Sequence, residues 1–505
     1  MGAKQRGMGK RRHCPAPPPV LHSHGFRYFL FVISAMSLVG LFYLASKPCR
    51  LGGFFLGSRQ LDDPSLWSGR LDELPFAWNH LRFSASPPPR RLRIALFVKR
   101  WPKGDRAGGM ERHALTLHGA LALRGHATHV FTSDPGGPPD RSSPNMLFHL
   151  SPPLRGGGFD AAAAWDQFAR ANAALPFDVV HSESVGLPHL FAGNLSNVAV
   201  SWHGIAYEAV HSEIAQDLAR LPGEPRSSDQ VKRMQERLFR VVDEVKFFDS
   251  YAHHVATSDH VGDILRRVYM IPDERVHVIL NGVDEQIFRR DAEKGTAFRR
   301  RHRVPEKAKL VVGMSGRLVK DKGHPIMVEA LRQLLEEEPD SMEWVFFLVA
   351  GDGPWGDRYR ELGPNFLVLG PLDRPSLSEF YNAIDVFAHP TLRAQGLDQT
   401  VLEAMNSGKP VMVARFAGIT ESAIVSSEMG YVFAPSVQRI KETLSRVIRD
   451  GRGVLEKKGE VARRRALKLF TATKMAAAFE RLFLCIASKN AGDGLDFCRY
   501  PLSTD

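Results

Sequence analysis

Cysteine is scarce in this chain of 505 residues, and the four that are present stand at positions 14, 49, 485 and 498 without a CxxC pair. This scarcity excludes a cysteine-rich metal module and a small disulfide-stapled scaffold. The zinc-protease motif HExxH is also absent. Hydrophobic residues make up 44% and charged residues 24% of the sequence, so a disordered or collagen-like chain is excluded as well.

Acidic residues are missing from the first 50 positions, which carry eight basic side chains. The net charge of +12 therefore belongs mainly to the N-terminus, and the rest of the chain carries only +4. Nucleic-acid binding needs a basic patch on the folded body, which this distribution does not indicate. We therefore expect no nucleic-acid partner.

An uncharged run from Tyr28 to Ala45 is long enough to cross a bilayer as a helix. More basic residues precede it than follow it, which predicts that the leader stays in the cytosol. The sequence therefore predicts a cytosolic basic tail (1–25), a transmembrane signal anchor (26–46) and a stem (47–91). We expect a single-pass type II membrane protein with a luminal body, in the Golgi in preference to the endoplasmic reticulum or a plastid envelope. A cleaved signal peptide or an organelle transit peptide is the alternative.

A luminal body would be open to two covalent modifications. Asn194-Leu195-Ser196 is the N-glycosylation sequon of the chain, and it predicts a glycoprotein. Cys485 and Cys498 could pair in such a compartment, or they could remain two free thiols.

Strands and helices alternate along the body in two successive series, which begin with apolar runs at 92–98 and 309–314. The Pro- and Gly-rich stretch 133–159 is predicted to be a long loop. The pattern predicts an α/β protein with two Rossmann-like, doubly wound domains that face a cleft. The predicted segments are a first domain (92–285), a charged linker (286–307), a second domain (308–468), and a C-terminal helix and tail that return to the first domain (469–505).

The second series contains a loop suited to a pyrophosphate. Gly316, Arg317 and Lys322 follow the strand at 309–314, and a helix opens at Pro325. The two cations would offset the negative charge, and the free N–H groups of the helix start would supply donors. Without further context, both cations could equally be solvated loop residues.

A second helix opens at Gly396 and closes at Gly408 in the same half of the chain. Glu403 lies within it among apolar neighbours, where a carboxylate needs hydrogen-bond donors. A ribose diol would supply two donors. A salt bridge on the helix surface is the alternative interpretation.

Further motifs accompany these two loops. They are GGMERH (108–113), SWHG (201–204), NGVD (281–284), GDGP (351–354), DVFAHPT (385–391) and QGLDQTVLEAMNSGKPV (395–411). With them, the chain resembles the GT-B fold glycosyltransferases of the retaining, glycogen-synthase-like family 4. The resemblance covers about three quarters of the chain and keeps the family's motif order.

The resemblance implies a donor site for a nucleotide sugar, with UDP as the expected nucleotide. Arg317 and Lys322 would hold its diphosphate, and Gly316, Gly396 and Leu397 would belong to the loops around it. No other cofactor is expected. Asp-x-Asp does not occur in the sequence, so no essential metal is expected either.

The resemblance also implies roles beside the diphosphate. Glu403 would bind the ribose, and His203 would contact the donor sugar near the bond that breaks. Gly108 and Gly109 would let backbone N–H groups approach the donor phosphate or the acceptor. His203 could instead be a hydrogen-bonded histidine at a domain edge.

One position departs from the family pattern. Eight residues before Glu403 the family usually has a second glutamate, and this chain has Gln395. An amide can still bind a sugar hydroxyl, but it carries no charge to balance an oxocarbenium-like transition state. We count Gln395 among the catalytic positions, and a catalytically weak or inactive scaffold that binds nucleotide sugar or carbohydrate is the alternative.

The resemblance implies transfer with retention of configuration. The leaving phosphate oxygen would take the acceptor's proton in a front-face displacement, so no protein base is required. Neither the acceptor, which could be a carbohydrate, a lipid or a small molecule, nor the transferred sugar can be assigned from the sequence.

A dinucleotide-binding enzyme is a competing hypothesis. Gly351 to Gly356 matches GxGxxG, and Asp373 follows about twenty residues later. This would make an NAD-dependent oxidoreductase or epimerase. However, the motif follows the second strand of its half, whereas the fingerprint belongs on the first.

Overall fold

The computed structural model describes residues 66–502, apart from 103–107, 142, 395 and 489–494. The predicted tail and signal anchor, residues 47–65 of the predicted stem, and Gln395 lie outside the described residues. The described residues belong to one unit, Pro64–Asp505. Among them, no helix combines the length and the apolar character that crossing a membrane requires.

Two parallel sheets and one short antiparallel pair contain the strands. The strands are β1 (Gly69–Arg70), β2 (Arg93–Phe97), β3 (Ala127–Ser133), β4 (Met146–Ser151), β5 (Val179–Glu183), β6 (Val198–Trp202), β7 (His253–Ala256), β8 (Val276–Val278), β9 (Leu310–Ser315), β10 (Val345–Ala350), β11 (Phe366–Gly370), β12 (Val386–His389), β13 (Val411–Ala414), β14 (Gly430–Phe433) and β15 (Arg499–Tyr500).

Helices connect most of these strands. They are α1 (Gly109–Leu123), α2 (Ala161–Ala174), α3 (His189–Ala192), α4 (Ala206–Leu218), α5 (Ser228–Phe247), α6 (Asp259–Arg267), α7 (Ala292–Arg301), α8 (His324–Glu337), α9 (Pro339–Met342), α10 (Gly356–Arg360), α11 (Arg374–Ala383), α12 (Gln399–Asn406), α13 (Ala417–Thr420), α14 (Val437–Leu469) and α15 (Ala472–Ser488).

The central strands are continuous apolar runs because helices cover both faces of each sheet. Val345–Ala350, for example, reads VFFLVA and is buried at every position. The first sheet has the order β4-β3-β2-β5-β6-β7-β8, and the second has the order β11-β10-β9-β12-β13-β14. Both are doubly wound orders in which the first strand of the series lies centrally. The predicted pair of Rossmann-like domains in a GT-B arrangement is confirmed.

The chain order reverses beside the first strand of each sheet. In the first sheet this place lies between β2 and β5, and in the second it lies between β9 and β12. Loops that leave the carboxyl ends of such strands diverge and open a crevice. Each sheet therefore contributes one crevice to the space between the domains.

Several segments differ from the sequence-based prediction. The described part of the predicted stem, 66–91, contributes Leu71, Trp78 and Leu81 to a buried cluster of the body. The predicted loop 133–159 contains β4, which reads MLFHLS and is buried at both ends. The predicted linker 286–307 contains α7, which packs against α11 through a close approach of Gly295 to the backbone of Asn382. The edge strand β14 was not predicted, since it is only four residues long.

The last helix packs against the first domain. Phe479 and Leu482 of α15 belong to the same buried cluster as Ile94 of β2 and Val179 of β5. A disulfide joins Cys485, within α15, to Cys498, and these are the two cysteines whose pairing the sequence left open. The segment after this bridge continues as β15, which pairs with β1.

Side chains of the first domain hold a loop of the second. Glu208 of α4 accepts the N–H of Gly396 at 3.1 Å, and the Asn281 amide donates to the carbonyl of Leu397 at 3.0 Å. Glu208 is fully buried, and this burial raises its pKa to about 7, although the backbone N–H groups oppose the shift. The backbone at Gly396 is therefore held partly by a carboxyl group whose pKa lies near neutral pH.

The pKa of Glu208 predicts a pH-dependent stability. Its pKa is about 7 in the folded chain against an ordinary 4.5, so the folded state binds more protons between these values and stability falls as the pH rises. In Glu208→Gln this loss should vanish. As the pH rises from about 5 to about 8, the difference in free energy of unfolding should therefore shift in favour of the variant by on the order of 3 kcal/mol.

Urea unfolding of both proteins across this pH range measures the difference. Glu361→Gln, at an exposed position, is the control and should give a curve parallel to the wild type. A Glu208→Gln curve that also runs parallel would contradict the assignment.

Candidate active site

A cavity of about 880 Å³ lies between the carboxyl ends of the two sheets. Its second-domain wall comes from the loops that follow β9, β10, β11 and β12, and its first-domain wall comes from the start of α1 and from the residue after β6. The predicted site residues that line it are Gly108, Gly109, His203, Gly316, Arg317, Lys322, Gly396 and Leu397.

The loop after β9 presents two cations to this cavity. Arg317 is exposed there, and none of the described residues forms an ion pair with its guanidinium. The Lys322 ammonium donates to Asp398 at 2.5 Å. Gly323 then starts α8 with φ of +78°, and a Cβ at this position would lie 1.8 Å from the carbonyl oxygen of Pro390. Only glycine therefore allows the loop to pass this close to the next strand end.

Asp398 is a site residue that sequence reasoning missed. It caps α12 by accepting the N–H of Thr400 at 3.1 Å, and it lies 3.4 Å from the Nε2 atom of His389. Burial alone would raise the pKa of Asp398, but the charges and hydrogen bonds of Lys322 and His389 together outweigh burial and hold the pKa well below its usual range. An anionic Asp398 therefore holds the Lys322 ammonium at the cavity wall. An Asp directly before a helix start, two residues after Gly396, was the signal available.

Glu403 lies behind the cavity wall instead of lining it. It is 2% exposed, its Oε1 atom accepts from Arg112 at 2.8 Å, and its Oε2 atom accepts the Tyr381 hydroxyl at 2.9 Å. Burial raises its pKa, and the charge of Arg112 opposes that rise. Glu403 is the residue predicted to bind the ribose, but both of its carboxylate oxygens already have hydrogen-bond partners. One of these partners, Arg112, belongs to the first domain.

A second buried carboxylate, Glu183 at the end of β5, lies behind the first-domain wall. It is 0% exposed and accepts from Nε2 of His203 at 2.5 Å and from Nδ1 of His113 at 3.1 Å. Burial would raise the pKa of Glu183, but the two histidines outweigh burial and hold the pKa well below its usual range. Sequence reasoning missed Glu183. Its position was a usable signal, because Glu183 ends β5, and His203 follows the neighbouring strand β6.

The GDGPWG segment has a packing role in this structure. Gly351 and Gly353 have φ of +137° and +147°, and a Cβ on Gly351 would lie 1.8 Å from the carbonyl oxygen of Gly316. These glycines therefore let the loop after β10 pack against the loop after β9. This accounts for the GxGxxG match without a dinucleotide.

Two family models match the chain. One, described as Glycosyltransferase Family 4, matches residues 107–287, and the other, described as Glycosyl transferases group 1, matches residues 309–450. Together they span both walls of the cavity. The chain has the GT-B fold of the family 4/group 1 glycosyltransferases.

Curated relatives and solved structures agree with this fold. D-inositol 3-phosphate glycosyltransferases of Jonesia denitrificans and Xylanimonas cellulosilytica are 26% and 27% identical, over 50% and 63% of this chain and 62% and 77% of theirs. Sucrose-phosphate synthase of Thermosynechococcus elongatus has a TM-score of 0.61 at 20% identity, with 78% of this chain and 98% of that chain covered. Anabaena HepE, solved with UDP-glucose, has a TM-score of 0.57 at 17% identity, with 78% and 99% covered.

The predicted Golgi placement is wrong. The curated relatives come from bacteria such as Jonesia and Xylanimonas, and bacteria have no Golgi apparatus. The prediction of a glycoprotein at Asn194 depended on that placement and loses its support. The predicted anchor at 26–46 lies outside the described residues.

The Arg112–Glu403 ion pair predicts a large effect of a single substitution. Arg112→Leu leaves the Glu403 carboxylate buried without its cation, which should cost about 3–5 kcal/mol of stability. The loss should be smaller at about pH 5 than at about pH 8, because a protonated Glu403 no longer needs the cation.

Urea unfolding at the two pH values measures this effect. Arg332→Leu removes an arginine that pairs with Glu329 and Glu336 on an exposed helix surface, and it should leave stability nearly unchanged. Equal losses in the two variants would contradict the account of the pair.

Proposed function

We propose that this chain transfers a sugar from a nucleoside diphosphate sugar, with a UDP-sugar as donor, to an acceptor hydroxyl. Configuration at the anomeric carbon is retained, and no metal ion is required. The observation that carries the proposal is the pair of facing walls. Arg317 and Lys322 offer positive charge on the second domain, and His203 faces them from the first.

Charge on the second-domain wall supports the donor part of the proposal. A diphosphate between Arg317 and Lys322 would satisfy the guanidinium that lacks an ion-pair partner among the described residues. The N-terminus of α8 begins directly after this loop, and its free N–H groups favour an anion. These groups would supply the charge compensation that a divalent cation provides in other sites.

The reaction follows from this placement. The acceptor oxygen forms a bond to the anomeric carbon while the bond from that carbon to the diphosphate oxygen breaks. The acceptor's proton passes to the departing diphosphate oxygen on the same face of the sugar, so configuration is retained. Arg317 and Lys322 stabilise the charge that grows on the diphosphate. His203 contacts a hydroxyl of the donor sugar.

Nucleotide affinity tests the donor site. Arg317→Ala removes a charge-assisted contact, so the Kd for UDP should rise about 10- to 100-fold without added metal. Lys322→Ala should have an effect of the same order. Titration calorimetry of the purified chain with UDP measures both.

Lys320→Ala is the matched control, because Lys320 belongs to the same loop but pairs with Glu224 away from the cavity. Its UDP affinity should equal that of the wild type. An unchanged Kd in Arg317→Ala would contradict the proposed donor site. Tight UDP-sugar binding without turnover on any acceptor, including D-inositol 3-phosphate, would favour the inactive scaffold. A product with inverted configuration would contradict the mechanism.

A further inference from the structure

Glu183 has an unusual set of partners for a carboxylate that is fully buried. A carboxylate accepts hydrogen bonds only, and burying one is costly unless donors surround it. The side-chain donors on Glu183 are two imidazoles, those of His203 and His113. Of these three side chains, His203 lines the cavity, with 14% of its side chain exposed.

The geometry is that of hydrogen bonds and not of a shared metal ion. The candidate ligand atoms of His113, Glu183 and His203 lie within 4.8 Å of one another, which alone would allow an ion. However, two ligands at tetrahedral zinc bond lengths lie about 3.3 Å apart. The Nε2 atom of His203 lies 2.5 Å from the Glu183 carboxylate, well inside that separation, so the two groups are in direct hydrogen-bond contact.

The hydrogen bond determines which ring nitrogen of His203 is left for a ligand. Glu183 is ionised, so the Nε2 atom of His203 must carry the proton that it donates. Nδ1 is then the nitrogen available to a bound molecule. His113 donates to the other carboxylate oxygen and keeps the carboxylate from turning away. The ring centres of the two histidines lie 4.5 Å apart, so His113 also packs against the side of His203.

We propose that Glu183 is a positioning residue that fixes His203 as the Nε2–H tautomer and makes its Nδ1 atom a strong acceptor for a donor-sugar hydroxyl. This inference rests on the proposed function, because it assigns the sugar to the wall that His203 forms. A carboxylate partner raises the basicity of an imidazole and fixes its orientation. Glu183 acts through His203 and does not touch the substrate.

The test compares Glu183→Gln with the wild type in three measurements. The first is nitrogen-resolved NMR of the histidine side chains in ¹⁵N-labelled chain, with His203 assigned from His203→Gln. The wild type should show His203 protonated at Nε2 with a strongly downfield proton, and Glu183→Gln should move that proton upfield. If Glu183 had only a structural role and did not hold His203, the substitution Glu183→Gln would leave this signal unchanged.

The second measurement separates nucleotide binding from turnover. The Kd for UDP should stay within about twofold of the wild type, since UDP binds the opposite wall, whereas kcat should fall about 10- to 100-fold. In the His203→Gln background, Glu183→Gln should cause no further loss, because its effect passes through His203. An equal further loss in that background would overturn the proposal.

Glu480→Gln is the matched control. Glu480 is another buried carboxylate that accepts from a buried histidine, His126, but neither lines the cavity. Its substitution should leave kcat and the His203 signal unchanged. The third measurement is the metal content of the purified chain. One equivalent of a metal that is lost in Glu183→Gln but kept in Glu480→Gln would overturn the proposal in favour of a metal site.

The two proposals fail in different ways. If the wild type binds no UDP and has no turnover, the proposed function fails while the NMR result still tests whether Glu183 holds His203. If UDP binds and transfer occurs but Glu183→Gln turns over at the wild-type rate, only the role of Glu183 is refuted. If Glu183→Gln does not fold, Glu183→Asp keeps the charge with a shorter reach and should show the same NMR change to a smaller extent.

Discussion

The Arg112–Glu403 ion pair joins the first helix of one domain to a helix of the other, across 291 positions of sequence and inside the cleft. Both groups are largely buried, so neither can leave its partner without exposing an uncompensated charge to a poorly solvated environment. Tyr381 continues the contact to Ser315 at the end of β9. The loop that presents Arg317 begins directly after Ser315. The wall that carries Arg317 is therefore linked to the first domain through this chain of contacts.

Buried or half-buried carboxylates hold groups at three places around the cavity. Glu208 holds the backbone at Gly396, Asp398 holds Lys322, and Glu183 holds His203. In each case the carboxylate fixes the position of a residue that lines the cavity. Such an arrangement is costly to bury and is sensitive to the loss of one partner, so substitutions at the partners should matter more than substitutions at exposed charges nearby.

The sequence was sufficient for the features that local chemistry determines. The glycine and cation loop after β9 could be predicted, because a strand, a tight turn and a helix start lie within a few residues. The doubly wound fold could also be predicted, since buried parallel strands are continuous apolar runs. The Arg112–Glu403 and Glu183–His203 contacts could not be predicted, because they join residues that only the sheet order and the domain closure bring together. The helix α7 was hidden for a related reason, as its many charged residues resemble a linker until its contact with α11 is known.

A crystal structure with a slowly reacting 2-fluoro analogue of a UDP-sugar would test the central claim most directly. The account predicts the diphosphate between Arg317 and Lys322, the sugar against the first-domain wall, and a sugar hydroxyl within hydrogen-bond distance of the Nδ1 atom of His203. A diphosphate bound away from both cations, or a sugar that faces away from His203, would contradict it.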